Sequence, residues 1–261
     1  MAPRRNGAQL QHDRQRAIYM LALRDGSVDV ADLAERHGVT TETIRRDLSD
    51  MQTRQLLKRV HGGAIPVERM NHEPMIEARD VVNAEEKLRI ATLAVGEIPE
   101  RGSVIIDSGS TGRRLAEVFP VERDVHVVTN SLLTALTLSR RGLRDLTVLG
   151  GAVRTKRHAM VDDTTREELQ PMSVDVLFMS CDGLSFPHGL TTPYREEHMI
   201  KRAMMERARK VVALVDASKF HNVQMFSFAS FTDIDVLVTD TRADPDDVEL
   251  LESHDMTVLR A

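Results

Sequence analysis

Apolar positions in the first part of the chain recur at helical spacing. Ile18, Leu21 and Ala22 fall on one side of residues 14–24, which predicts a first helix stopped at Gly26. Residues 28–37 predict a second helix, with Asp29 as its cap and Leu33 pointing inward. After a tight turn at Gly38-Val39, Ile44, Leu48 and Met51 repeat at i, i+4 and i+7 and share the inner face of a third helix. Thr40 is placed to cap it, while Thr41, Glu42, Thr43, Arg45 and Arg46 fall on its other faces. Residues 56–65 then run into Gly62-Gly63, the pattern of a short β-hairpin. Two short helices joined by a glycine turn and followed by a hairpin predict a winged helix-turn-helix domain over residues 1–65. Residues 66–80 are polar, carry Pro66 and Pro74, and read as a linker. Asn83 opens another helix, with Leu88, Ala91, Ala94 and Val95 as its apolar positions.

Over the remainder, residues 81–261, the period changes. Short β-branched runs end repeatedly in small or polar residues: 104–106 before Asp107-Ser108-Gly109-Ser110-Thr111-Gly112, 125–128 before Thr129-Asn130-Ser131, 146–149 before Gly150-Gly151. The same holds for 176–179 before Ser180-Cys181-Asp182-Gly183, 211–215 before Asp216-Ala217-Ser218-Lys219, and 236–238 before Thr239-Asp240. Helical stretches at 131–141 and 196–209 separate some of them. Continuous apolar strands alternating with helices predict an α/β domain whose mainly parallel sheet is covered on both faces. Ligands of such sheets bind beyond the carboxyl ends of the strands, where all six polar clusters fall.

Composition adds compartment and partners. Of 261 residues, 29% are charged and 41% hydrophobic, which permits a sizeable core. Cys181 is the single cysteine, so no intramolecular disulfide framework exists and a reducing compartment is expected. The sequence holds no run of about 18 apolar residues and no apolar segment after its first residues, so a cytoplasmic, nucleoid-associated protein without membrane contact is expected. The net charge of −5 conceals an asymmetry: residues 1–65 carry 11 basic and 8 acidic side chains, against 24 and 32 in the rest. Only the basic head is suited to a phosphate backbone.

On the third helix, arginine can grip guanine or pin phosphates, and threonine offers a hydroxyl and a methyl group to base edges. Thr41, Thr43 and Arg45 are the candidates for base contacts; Thr40, Arg46, Lys58, Arg59 and His61 complete the candidate DNA surface. A solvated surface helix is the plainer reading of the arginine pair, and a solvated loop histidine that of His61. In the body, Asp107–Gly112 offers backbone amides, a helix N-terminus and the hydroxyls of Ser108, Ser110 and Thr111 to an anion. Its length and lack of lysine differ from a P-loop, so a phosphomonoester suits it better than a nucleotide. Taken alone, the stretch reads equally as a plain strand-to-helix turn. Asp182, Gly183, Glu197 with Lys201 one turn on, Asp216, Ser218 and Lys219 add carboxylates and ammonium groups at the same edge. Glu197 and Lys201 could equally form a surface i,i+4 pair. Cys181 reads as a buried strand residue, and the histidines show no metal-ligand spacing.

Residues 14–64, with Thr43-Ile44-Arg45-Arg46-Asp47-Leu48 and Arg59-Val60-His61-Gly62-Gly63-Ala64, resemble the DNA-binding domain of DeoR-family transcriptional regulators. Asp107-Ser108-Gly109-Ser110-Thr111, Thr129-Asn130-Ser131, Gly150-Gly151, Asp182-Gly183, Glu197-x-x-x-Lys201 and Asp216-x-Ser218-Lys219-Phe220 are similar to that family's effector domain. The resemblance implies a body related in fold to ribose-5-phosphate isomerase. It implies a repressor of a carbohydrate operon, with no catalytic residues, metal or cofactor. Double-stranded operator DNA, a phosphorylated sugar and further copies of the chain, as dimer or tetramer, are the implied partners. A sugar-phosphate isomerase using Glu197 as base, with Lys219 or Asp182 positioning the substrate, is the alternative from another class. Two departures from the family pattern stand out: Gly112 where many relatives carry a third threonine, and Asp162-Asp163 where a glycine is usual.

Overall fold

The computed structural model describes residues 11, 14–15, 17–22, 27–53, 56–60, 62–66 and 76–261. The chain divides into two compact units, a head ending at Val82 and a body beginning at Asn83.

In the head, residues 17–22 are helical (α1), followed by strand β1 (Val28–Asp29), helices α2 (Val30–His37) and α3 (Thr41–Thr53), strands β2 (Leu57–Val60) and β3 (Gly63–Pro66), and helix α4 (Ile76–Val81). The expected inner faces meet in one core: Ile18, Leu33, Ile44, Leu48 and Met51 are buried with Leu57 and Ala64. The wing gains a third strand, because Val28 and Asp29 pair with Ala64 and Gly63; the second helix therefore starts at Val30 rather than at residue 28. Gly63 is required by that pairing, since a Cβ there would lie 1.9 Å from the Val28 carbonyl oxygen. Gly26 and His61 lie outside the described residues, as do 67–75 of the stretch read as linker. At its far end that stretch is helical in α4, with Ile76 buried.

Asp29 caps α2 by accepting from the amides of Ala31 (2.7 Å) and Asp32 (3.3 Å). Replacing it by alanine leaves two orphan donors, and Asp29→Ala should lower the stability of the head by about 1 kcal/mol. Urea unfolding followed by circular dichroism measures this; an unchanged midpoint would show that water replaces the cap without cost.

The body runs α5 (Ala84–Ala94), β4 (Arg101–Ile106), α6 (Ser110–Val118), β5 (Asp124–Thr129), α7 (Leu132–Arg140), β6 (Leu146–Val148), β7 (Val153–Arg154), β8 (Ala159–Met160), α8 (Asp163–Leu169) and β9 (Val174–Met179). It continues through β10 (Gly183–Ser185), β11 (Gly189–Thr192), α9 (Arg195–Met205), β12 (Ala208–Leu214), β13 (Phe226–Ala229), β14 (Val236–Thr239), α10 (Pro245–Glu252) and β15 (Thr257–Arg260). The six expected strands form one parallel sheet with β15 as a seventh, in the order β6-β5-β4-β9-β12-β14-β15. Both faces are covered. Val104, Ile106, Val176, Phe178, Val212 and Leu214 pack under α5, α6 and α7, while Ile105, Leu177, Met179 and Ala213 pack under α8, α9 and α10. That two-sided burial is why the strands read as unbroken apolar runs. Strands β4, β5 and β6 build outward one way and β9, β12, β14 and β15 the other, so the chain reverses direction between β4 and β9. In such a sheet the ligand crevice lies at the carboxyl ends flanking the reversal.

Candidate functional site

The head presents α3 and the wing together. Thr41 and Arg45 from α3, Arg59 and Val60 from β2, and Gly62-Gly63 line an open cleft of about 280 Å³ beside Asp29, Val30 and Ala31. Arg45 is exposed, with the Glu42 carboxylate at 3.8 Å. Arg46 and Lys58 are exposed outside this cleft. Arg59 is held against α3, with its amide donating to Gln52 Oε1 (2.9 Å) and its guanidinium to Ser49 Oγ (2.9 Å). Thr40 caps α3 as expected, accepting from the Thr43 amide at 3.2 Å, and its hydroxyl meets that of Thr43 at 2.9 Å. Thr43 therefore serves the cap. Asp47, not singled out by its sequence context, is buried and receives Arg14 at 2.5 Å and Gln15 at 3.1 Å, which ties the first helix to α3.

In the body, the loops after β4 and β9 meet. Lys201 on α9 donates to the Asp107 carboxylate and to the Ser180 carbonyl (2.8 Å), and both charged side chains are buried. Glu197, one turn earlier, does not pair with Lys201. It accepts from the Thr192 hydroxyl (2.6 Å) and lies 3.2 Å from Nε of Arg157; Thr192 also reaches Asp182 at 3.3 Å. Arg157 spans to Asp182 at 3.4 Å. Arg154, on the same hairpin, stacks on Tyr194 at 3.7 Å and lies 3.8 Å from Glu197. Asn130 locks the assembly: it accepts from the Ser108 amide (3.0 Å) and donates to the Met160 carbonyl (3.0 Å), joining the loop after β4 to the β7–β8 hairpin.

The neighbouring candidates fall into three groups. Ser110, Thr111 and Gly112 form the buried first turn of α6, beginning after Gly109. A Cβ on Gly112 would lie 2.6 Å from the Asp107 carbonyl oxygen, which accounts for the absence of a third threonine in this chain. The Thr129 hydroxyl donates to the Ile106 carbonyl (2.6 Å) and receives the Ser131 amide (3.1 Å), shaping the turn. Gly150 and Gly151 are turned toward α8: Gly150 donates to Glu168 (2.6 Å) and accepts from Thr165 (2.8 Å). Asp162 caps α8 through the Thr165 amide (3.1 Å) and takes the Ala152 amide (2.7 Å), so this second departure is a structural cap. Asp216 and Ser218 receive the side-chain amide of Asn83 at 2.8 and 3.1 Å, and Asn83 itself has a left-handed backbone (φ 52°). Gly183 begins β10, directly after Asp182.

Charge couples these groups. Burial pushes the Asp107 carboxyl up despite the Lys201 ammonium beside it. Burial alone would lower Lys201, but Asp107 and Glu197 hold it above its ordinary value. Burial would likewise raise Asp182 and Asp216; instead Arg157, Lys219 and Lys201 hold Asp182 low, and Lys219 and Lys87 hold Asp216 low. Lys219 thus acts on both carboxylates by charge. Burial pushes the Cys181 thiol up to about 12, which makes it inert as expected, but it lies between β9 and β10 and not in a strand. Among the described residues, no three His, Cys, Asp or Glu side chains converge as a metal site would require, and no helix is long and apolar enough to cross a membrane.

Arg157, Arg154 and Thr192 are site residues that sequence reasoning missed. The signal that existed was Arg157 within the segment that departs from the family pattern.

Residues 14–69 match the family described as a DeoR-like helix-turn-helix domain, and residues 82–241 match the DeoR C terminal sensor domain. The HTH-type transcriptional regulator GlpR of Haloferax volcanii is 34% identical over 250 residues, covering 96% of this chain and 98% of that protein. The glycerol-3-phosphate regulon repressor of Escherichia coli is 28% identical, covering 94% and 96%. The putative aga operon transcriptional repressor of Escherichia coli O157:H7 is 28% identical, covering 95% and 93%. Among solved structures, ribose 5 phosphate isomerase A from Neisseria gonorrhoeae aligns over 51% of this chain and 52% of its own, at 18% identity and a TM-score of 0.38. The full-length relatives are named as regulators of transcription, not as enzymes. A helix-turn-helix head and a sensor body in one chain, matched along nearly its whole length by such regulators, place it: this protein belongs to the DeoR family of transcriptional regulators.

Proposed function

We propose that this regulator represses genes of carbohydrate metabolism in the cytoplasm and that a phosphorylated sugar or polyol controls its grip on operator DNA. One observation carries the reading of the effector: a buried lysine–carboxylate pair, Lys201 with Asp107, at the carboxyl end of β4, beside a hydroxyl-bearing loop that opens α6. An ammonium group, backbone amides and a helix N-terminus suit a phosphate; the carboxylates around them suit hydroxyl groups. The names of two relatives, a glycerol-3-phosphate regulon repressor and an aga operon repressor, point the same way. The protein acts as a homo-oligomer, since paired helix-turn-helix heads read two half-sites spaced by whole helical turns.

The test uses DNA selected from a random pool by the full-length protein. Titrating glycerol 3-phosphate and hexose phosphates against the protein–DNA complex should shift its dissociation constant about 5- to 150-fold for at least one ligand, the usual span of coupling between two sites. The unphosphorylated counterparts should leave it unchanged. A complex unaffected by every phosphorylated ligand, with no binding to the protein by calorimetry, would refute the reading.

A further inference from the structure

We propose that Arg157 sets the charge of the effector pocket and so selects a ligand carrying a phosphate; the inference rests on the pocket proposed above. Three carboxylates meet at this edge: Asp107, Asp182 and Glu197. The last two share the hydroxyl of Thr192. Against them, the ammonium of Lys201 is committed to Asp107 and the Ser180 carbonyl. Lys219 divides its charge between Asp182 and Asp216, and Arg154 reaches Glu197 only at 3.8 Å, so the carboxylates meet cations that are shared or distant, a field that does not favour a phosphomonoester, itself close to doubly negative at neutral pH. Such an edge would favour a neutral polyol or an amine.

Arg157 supplies the cation lacking beside Asp182 and Glu197. Its side chain is 6% exposed, and its guanidinium lies 3.2 Å from Glu197 and 3.4 and 3.5 Å from the two oxygens of Asp182, and so neutralises both carboxylates from one position. Arginine suits this task because its planar fork addresses two carboxylates at once and stays protonated when buried. The low titration of Asp182 agrees with it: burial opposes ionisation, and Arg157 comes first among the cations that overcome burial.

The hairpin that delivers Arg157 is fixed in place. Its turn passes through His158 with φ 49°, whose carbonyl accepts from the Leu132 amide at 2.9 Å. The Met160 amide donates to the Asn130 carbonyl (2.9 Å), and the Asn130 side chain also holds the Ser108 amide. Arg157 is therefore held in register with the loop that would take the phosphate. Arg154 lies nearer the surface, stacked on Tyr194, and is farther from Glu197.

Calorimetric titrations of the full-length protein with glycerol 3-phosphate, glucose 6-phosphate, fructose 1-phosphate and inorganic phosphate test the proposal. Arg157→Gln should weaken whichever ligand the wild type binds tightest by about tenfold or more, as removal of one member of a buried charge pair does. Arg157→Lys keeps a cation at this position and should retain affinity to within about threefold of wild type. It also decides the question if Arg157→Gln alone does not fold, since it leaves a positive charge beside both carboxylates. Unchanged affinity in Arg157→Gln would overturn the charge-setting role, and so would Arg157→Lys binding as weakly as Arg157→Gln. Failure of the wild type to bind any of the four ligands would instead overturn the pocket reading itself.

Discussion

Lys201→Met should destabilise the sensor domain by about 3–5 kcal/mol at neutral pH, the cost of leaving one member of a buried ion pair uncompensated. Lys201 and Asp107 are only 5% and 2% exposed, so solvent cannot take over the lost partner. Burial already raises the Asp107 carboxyl against the pull of Lys201, and without the ammonium it rises further and takes up a proton. The sign of the pH dependence follows. A carboxyl whose folded-state pKa lies above its unfolded value contributes fully below the unfolded value, and that contribution is lost as pH rises through the folded value. The deficit of the variant relative to wild type should therefore grow as the pH rises above the ordinary carboxyl range. Urea unfolding at several pH values measures it. Combining Lys201→Met with Asp107→Leu should recover most of the loss, because it replaces the pair with apolar side chains instead of orphaning one charge. A pH-independent deficit below about 1 kcal/mol would show that water or a neighbouring cation such as Arg157 reaches Asp107.

The i,i+4 spacing of Glu197 and Lys201 was legible in the sequence, but not what it is for. It sets both side chains on the inner face of α9, where each meets a partner from another element: Arg157 and Thr192 for Glu197, Asp107 for Lys201. Spacing along one helix reports which residues share a face and says nothing of what that face meets. Strand β6 lies at the sheet edge and is only partly buried, but the five expected strands inside the sheet were readable for the opposite reason. Their burial on both faces stamps a continuous apolar run on each, independent of its neighbours. The pieces that escaped lack such a stamp. Strands β1, β7 and β8 are two residues each and exist because distant backbone pairs with them: β3 with β1, and Asn130 with the β7–β8 hairpin. Arg157 escaped with its hairpin. The polar candidates divided on similar grounds. Asp107, Asn130, Asp182, Glu197 and Lys201 converge, whereas Thr129, Gly150 and Thr43 have hydrogen-bonding groups engaged in the turns and caps that build the frame, and Gly151 packs too closely on Asp162 and Thr165 for a side chain. A hydroxyl or glycine after a strand serves geometry as readily as it serves a ligand, and the residue alone does not say which.

Helix α3 yields the second large effect. Arg45→Ala should weaken binding to selected operator DNA by about 10- to 100-fold and relax discrimination at one base position, while Arg46→Ala weakens all sequences alike and lowers the salt slope by about one. The distinction comes from position. Arg45 lines the cleft between α3 and the wing with Thr41 and Arg59, whereas Arg46 is exposed outside it. Folding contributes little to either change: the Arg45 side chain is 55% exposed and its contact to Glu42, at 3.8 Å between two exposed groups, is a surface pair of negligible worth. A loss of affinity in Arg45→Ala can therefore be assigned to the interface, provided the melting curve of the head is unchanged. The wing should act with the helix, because Arg59 is anchored to Ser49 and Gln52 on α3 and moves with it as one surface. Fluorescence anisotropy on the selected DNA and on single-base variants, each at several salt concentrations, separates the two arginines. Equal binding by Arg45→Ala and wild type across that panel would remove the first turns of α3 from the major groove and leave the wing as the reading surface.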